Sequence, residues 1–210
     1  MTRTGPQQVL ARLPQSAMHI VAKSAGPVPS DSGLGLLPTH TFENCPRLDL
    51  ICVPGGSSGV VSALRDHETI EFIRRQAETA KYVTSVCTGA FLLGVAGLLK
   101  GRRATTHWAY TELLPLVGAT HVKARVVQDG NLITAGGVTS GIDFGFSVVA
   151  EIAGEAVAQA IQLSLEYNPE PPFRFGHPDH ASDAVKDSVL PRYEQARAAF
   201  REGLARSSTG

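Results

Sequence analysis

Cys87 closes an apolar run, Tyr82-Val-Thr-Ser-Val86, and is followed at once by Thr88-Gly89-Ala90 and a second apolar stretch. A glycine-containing turn from strand to helix exposes a nucleophile at the top of a sheet and aims the free N–H groups of the next helix at it. The helix dipole supplies about 0.3–1 kcal/mol, under one pK unit, so it does not alone take a thiol from ~8.5 to well below 7. Backbone N–H donors, at roughly 1.5–3 kcal/mol for a charged acceptor, close the gap. The expectation is a reactive thiolate at Cys87, set against the plainer alternative of a buried structural cysteine.

Pro54-Gly55-Gly56 ends a neighbouring apolar run, Asp49-Leu-Ile-Cys-Val53, so its backbone N–H groups can face the same crevice. With the N–H of Thr88, those of Gly55 and Gly56 would make an oxyanion-type hole. Thr105-Thr106-His107-Trp108 lies beyond a short strand and at the start of a helix. Two roles are open there: His107 as base or donor near the cysteine, or Thr106 as helix cap with His107 packed beneath it. His177-Pro-Asp-His180 lacks further ligands in a proline-rich stretch, and no metal is expected there. Cys52, inside an apolar strand, and Cys45, ahead of a proline, are expected to be structural.

The elements that must position these residues follow from periodicity. The runs at 49–53 and 82–86 predict buried strands. Val60, Val61, Leu64, Ile70, Phe72, Ile73, Ala77 and Ala80 recur between them at helical spacing, so the unit predicts a parallel pair with a right-handed crossover. A helix follows from Ala90 to Leu99, capped by Lys100-Gly101. Val122–Val127 and Leu132–Thr134 flank Asp129-Gly130-Asn131, a hairpin signal. An apolar helix spans about Ser140 to Ala153, Gly154 interrupts it, and Glu155–Tyr167 resumes. Residues 168–178 must be extended because of their prolines, and an amphipathic helix, frayed after Arg206, starts at Asp183. The expected architecture is α/β, a mostly parallel sheet between helices. It forms a single domain over residues 1–182, with the helix of 183–210 packing on it or extending from it.

Composition excludes other classes. The 210 residues hold 19 Lys+Arg against 19 Asp+Glu, which gives no electrostatic case for nucleic acid or an anionic membrane. The longest apolar stretch, Phe91–Leu99, is far short of the ~20 residues a membrane-spanning helix needs. The N-terminus has no apolar run and does not read as a signal peptide, so a cytoplasmic protein is expected. Three cysteines at wide spacing fit neither a disulfide framework nor a zinc site.

Four blocks together resemble the DJ-1/PfpI superfamily: Thr84-Ser-Val-Cys-Thr-Gly-Ala90, Leu98-Leu-Lys-Gly-Arg-Arg-Ala-Thr-Thr-His-Trp108, Val127-Gln-Asp-Gly-Asn-Leu-Ile-Thr134 and Gly136-Gly-Val-Thr-Ser-Gly-Ile-Asp143. The tail, Leu165-Glu-Tyr-Asn-Pro-Glu-Pro-Pro-Phe173 with Gly176-His-Pro-Asp179, is similar to the isocyanide hydratase branch. The resemblance implies a flavodoxin-like fold, a homodimer, no cofactor, and Cys87 as nucleophile toward a small-molecule isocyanide that is hydrated to an N-substituted formamide. It also implies a preceding strand and an acid two positions before Thr4-Gly5-Pro6. The acid's position holds Thr2 and the strand is missing, so the reaction is expected to be slowed by the 10²–10⁴-fold that general acid–base catalysis contributes, roughly. Asp31 and Asp49 are substitutes by type only, and Asp143 more simply stabilises a helix N-terminus. The rival readings are a ligand- or redox-sensing module like those of AraC-type regulators, and a stress protein whose Cys87 oxidises to sulfinic acid.

Overall fold

The run Tyr82–Val86, β-branched at Val83, Thr84 and Val86, is buried along almost its whole length and forms an inner strand of the main sheet. The structure is a computed structural model and describes residues 2–207. Its elements in chain order are α1 (Thr4–Leu10), β1 (Val21–Ala22), β2 (Val28–Pro29), β3 (Gly35–Leu36), β4 (His40–Thr41) and β5 (Leu50–Val53). Then come α2 (Ser58–Ala63), α3 (His67–Ala77), β6 (Tyr82–Val86), α4 (Gly89–Val95), β7 (Arg103–Ala104) and a 3₁₀ segment (Trp108–Val117). The chain continues through β8 (Thr120–His121), β9 (Val126–Asp129), β10 (Leu132–Ala135), α5 (Ser140–Ala153), α6 (Glu155–Ser164) and α7 (Asp183–Ser207).

The main sheet has the order β5-β6-β10-β9. Its first three strands are parallel, and β9 pairs antiparallel with β10 across the Gly130-Asn131 turn, with Gly130 at φ +62°. Glycine at the first central position is what a two-residue hairpin turn of that hand requires. Strands buried on both faces need apolar layers on both sides. One layer packs Val53 and Val83 with α2, α3, α4, the 3₁₀ segment and Phe200 of α7; the other packs Val86, Ile133 and Ala135 with α1, α5 and α6. This is the α/β, flavodoxin-like sandwich that the motif order implied.

Several boundaries differ from expectation. The continuous helix over residues 60–80 is two helices, because Asp66 leaves the helical region at ψ 98° and accepts a 2.6 Å hydrogen bond from Thr69 Oγ1. Local Asp–Thr bonding competes with helix continuation, and here it starts α3 afresh. Helix α4 stops at Val95 rather than Leu99, and Gly97 at φ +82° does the capping assigned to Lys100-Gly101, with Leu98 N–H donating back to Leu93 O at 2.9 Å. β9 starts at Val126, not Val122, and α6 ends at Ser164, not Tyr167. The fraying expected after Arg206 falls on Ser207, which is helical, and on 208–210, which lie outside the described residues.

Helix α1 lies on α5 at a contact that only glycine allows. A Cβ on Gly141 would stand 2.9 Å from Pro6 Cδ, and one on Gly145 would stand 2.8 Å from Val9 Cβ. Overpacking such a seam costs about 1–3 kcal/mol. Gly145→Leu is therefore expected to destabilise the protein by at least about 1–3 kcal/mol, read as a lower denaturation midpoint at unchanged m-value. An unaltered midpoint would mean that α1 does not sit on α5.

Candidate active site

Cys87 follows the last residue of β6 and has φ +60°, a conformation that costs a side-chain-bearing residue of order 1–3 kcal/mol. The surroundings hold it there. Its N–H continues the ladder to Ala135 O at 2.9 Å, and its carbonyl accepts the Thr106 hydroxyl at 2.7 Å. Thr106 thus braces the cysteine turn rather than capping a helix. Thr88 then begins α4, and a Cβ on Gly89 would lie 2.2 Å from Val53 O, so the helix starts against the end of β5 only because residue 89 is glycine.

The Pro54-Gly55-Gly56 turn locks onto the same place. A Cβ on Gly55 would meet Cys87 Cβ at 2.7 Å and Thr88 N at 2.8 Å. The Thr88 hydroxyl donates to Gly56 O at 2.7 Å and accepts from Gly56 N–H at 3.0 Å. That reciprocal pair corrects one expectation: the Gly56 N–H is turned to Thr88 and not offered to the crevice. Thr2 is drawn in as well, its hydroxyl donating to Gly55 O at 2.9 Å.

The thiol itself differs from the thiolate expected at neutral pH. Burial pushes the Cys87 thiol above its usual value, and the Thr88 N–H and hydroxyl pull it only part of the way back. Among the described residues no cation or carboxylate acts on it, so desolvation wins. Cys52, also desolvated, is pushed up to about 11. All three cysteines are free.

His107 takes the cap that sequence assigned to Thr106. Its Nδ1 accepts the Ala109 N–H at 3.2 Å at the start of the 3₁₀ segment. Burial lowers its pKa to about 4, so the ring is neutral at pH 7 and, with Nδ1 occupied, keeps only the Nε2–H as a donor. The ring sits among Trp108, Tyr110 and Tyr193 at centroid distances of 5.7, 5.8 and 5.3 Å. Tyr110, pushed up to about 12 by burial and by the Cys87 and Tyr193 charges, went unnoticed in the sequence, although it lies three residues beyond His107. Tyr193 falls on the apolar face of the C-terminal amphipathic helix, a pattern that gives packing but not a place beside His107.

The acidic candidates are occupied elsewhere. Asp31 accepts from Ser57 N and Oγ at 3.3 and 3.1 Å, Asp49 pairs with Lys81 at 2.9 Å, and Asp143 holds Arg125 and the Tyr167 hydroxyl. Asp143 thus ties α5 to Arg125 just before β9 and to Tyr167 just after α6, beyond the end-of-helix role expected. His177 and His180 stand 6.2 Å apart between centroids, and no group of three metal-binding side chains occurs among the described residues.

Two measurements check these electrostatics. Alkylation of Cys87 by iodoacetamide should rise about tenfold per pH unit from pH 7 and keep rising past pH 9, because only the thiolate reacts; a plateau below pH 8 would contradict the raised value. A histidine buried neutral contributes stability that is fully present above its unfolded value near 6.5 and is lost as pH falls toward about 4. Wild type should therefore lose about 3 kcal/mol more than His107→Gln between pH 7 and 4, measured by urea unfolding at each pH. Parallel losses would place the titration elsewhere.

Comparison with known proteins places this geometry. The model of the DJ-1/PfpI family matches residues 2–151. The chain is 57% identical over 189 residues to the isonitrile hydratase of Pseudomonas putida, covering 90% of this chain and 82% of that protein. A crystal structure of a ThiJ/PfpI family protein from Pseudomonas syringae superposes with a TM-score of 0.93 at 42% identity, over 96% of this chain and 84% of that one. An HTH-type transcriptional regulator of Pseudomonas aeruginosa is 29% identical over 156 residues, 71% of this chain but 44% of the regulator. No helix among the described residues is long and apolar enough to cross a membrane. The chain belongs to the DJ-1/PfpI family.

Proposed function

We propose that this protein is an isocyanide hydratase-type hydro-lyase, with Cys87 as nucleophile and with turnover slowed by Thr2 at the acid's position. What supports the reading is the 57% identity to an isonitrile hydratase over 90% of the chain. The cysteine turn adds chemical sense to it. The thiol adds across the terminal carbon of R–N≡C: sulfur bonds to carbon, the proton goes to the same carbon, and a thioformimidate, R–N=CH–S–Cys87, results. Water then adds to the C=N bond, nitrogen takes a proton, and the tetrahedral adduct expels the thiol as R–NH–CHO forms. Cys87 is regenerated and no other group leaves.

Each neighbour has a role in this scheme. The Thr88 N–H, at the start of α4, stabilises sulfur as it gains and loses charge. Gly55 and Gly56 keep the floor of the crevice close: Gly55 by lacking a side chain, Gly56 by pinning the Thr88 hydroxyl. A protonated thiol at neutral pH is not fatal, since the carbon needs the thiol's proton. Among the described residues no carboxylate acts on the thiol to relay that proton or to activate water. Thr2, at the acid's position in the family motif, donates its hydroxyl to the carbonyl of Gly55, the glycine that packs against Cys87 Cβ. A homodimer in the cytoplasm belongs to the same proposal, and size-exclusion chromatography tests the dimer.

Incubation with an alkyl isocyanide, followed by the formyl proton in NMR, is the direct assay. Slow formamide production is expected, abolished in Cys87→Ala and raised by about 10²–10⁴-fold in Thr2→Asp, the usual worth of a positioned general acid–base. If neither wild type nor Thr2→Asp makes formamide, the hydratase assignment fails.

A further inference from the structure

The peptide that joins Cys87 to Thr88 is planar and trans, so its carbonyl and its N–H point in opposite directions. What holds one end therefore aims the other. The Thr88 N–H is the backbone donor that acts on the Cys87 sulfur, and the carbonyl at the far end of the same plane accepts the Thr106 hydroxyl at 2.7 Å. Among the described residues the only other donor to that carbonyl is the Ala90 N–H, at 3.4 Å, longer than an ordinary N–H···O bond.

Thr106 is held to this contact from the sheet. Thr105 N–H donates to Thr134 Oγ1 at 2.9 Å in a buried contact, so the segment after β7 hangs from β10, the neighbour of β6. The next residue of β10, Ala135, accepts the Cys87 N–H at 2.9 Å. Adjacent residues of one strand thus fix Cys87 at both ends, Ala135 its N–H directly and Thr134 its carbonyl by way of Thr106. The Thr106 side chain is only 2% exposed and β-branched, so its hydroxyl has few other directions to take.

We infer that Thr106 is a positioning residue for the reaction at Cys87, its hydroxyl keeping the Cys87–Thr88 peptide in the orientation that presents the Thr88 N–H to the sulfur. Rotation of that plane, through opposed changes of Cys87 ψ and Thr88 φ, would replace the donor by the negative end of a carbonyl. Thr106 acts through the peptide rather than on the reacting atoms. Its role in turnover rests on Cys87 being the nucleophile of the proposed hydration; its effect on the thiol does not.

Thr106→Val keeps the side-chain shape and removes the hydroxyl, and Thr106→Ser restores it. Alkylation of Cys87 by iodoacetamide, followed on the Cys87 peptide by mass spectrometry, reads the thiolate and needs no isocyanide. Its pH profile should lie about one unit higher in Thr106→Val, the worth of one backbone donor to a charged acceptor, and return to the wild-type position in Thr106→Ser. Neither His107, neutral at pH 7 and above, nor Tyr110, pushed up to about 12, changes charge between pH 7 and 10. Formamide production should fall at least about tenfold in kcat at unchanged KM in Thr106→Val and recover in Thr106→Ser. A valine variant that is less stable but keeps the wild-type alkylation profile overturns the inference. Should that variant not fold, wild type supplies the test by NMR: the Thr106 hydroxyl proton should exchange slowly with water and the Thr88 amide proton should shift as Cys87 titrates, and failure of either overturns it. A displaced profile in a protein whose wild type makes no formamide would sink the hydratase reading and leave the hold of Thr106 on the thiol standing.

Discussion

The close approach of two turns governs this structure. Val53 O would lie 2.2 Å from any Cβ at position 89, and a Cβ at Gly55 would strike Cys87 Cβ at 2.7 Å. The carboxyl ends of β5 and β6 therefore meet more closely than side chains permit, and two glycines are the condition for it. Once they meet, the Thr88 hydroxyl bonds the Gly56 backbone in both directions and fixes the relative height of the strand ends. The positive φ of Cys87 is the geometric result: the chain must turn sharply to send α4 back over the sheet, and the ladder bond to Ala135 with the Thr106 bond to its carbonyl holds the turn. Loss of either brace would release a conformation that an isolated chain avoids.

This construction makes a site that is positioned well and charged hardly at all. No cation stands against the thiol among the described residues, the imidazole of His107 is neutral, and Tyr110 is pushed away from ionisation. Such a pocket disfavours chemistry that needs a free-standing anion and suits an addition in which the thiol's proton ends on the substrate carbon. An isocyanide fits because its terminal carbon accepts both sulfur and proton and the substrate carries no charge. His107, Trp108, Tyr110 and Tyr193 pack on one another, so the imidazole is surrounded by rings rather than by charges.

How far this was legible in the sequence depended on range. Periodicity within ten to fifteen residues located β5, β6, α5 and the break at Gly154, because burial on one or both faces imposes it directly. The Cys87 turn was legible because a strand, a nucleophile and a glycine stood in one short run. The break at Asp66 was not legible within a helical pattern, because the hydrogen bond it accepts from Thr69 competes locally with apolar spacing that continues through it. The Gly56 donor was misassigned for a different reason: its partner is 32 residues away, and no local signal states that a threonine hydroxyl will occupy both its N–H and C=O. Tyr193 lies still further along, on a helix whose amphipathic pattern said that it would pack but not on what.

Strand β5 joins these themes, since it has two edges with different duties. One edge pairs with β6 and so sets the height of Pro54-Gly55-Gly56 against Cys87; the other lines a cavity shared with Leu10, Leu13 and Met18–Val21. A strand paired on one side only frays more readily than one paired on both. Any motion of β5 along its length is passed to Gly55 and Gly56, hence to the Thr88 hydroxyl and the thiol it touches. Thr2 and Arg3 bridge the two regions in sequence, one bonded to the Gly55 carbonyl and the other lining that cavity. The crevice floor is therefore held from two directions, by the pairing of β5 with β6 and by the Thr2 and Thr88 hydroxyls on the carbonyls of Gly55 and Gly56.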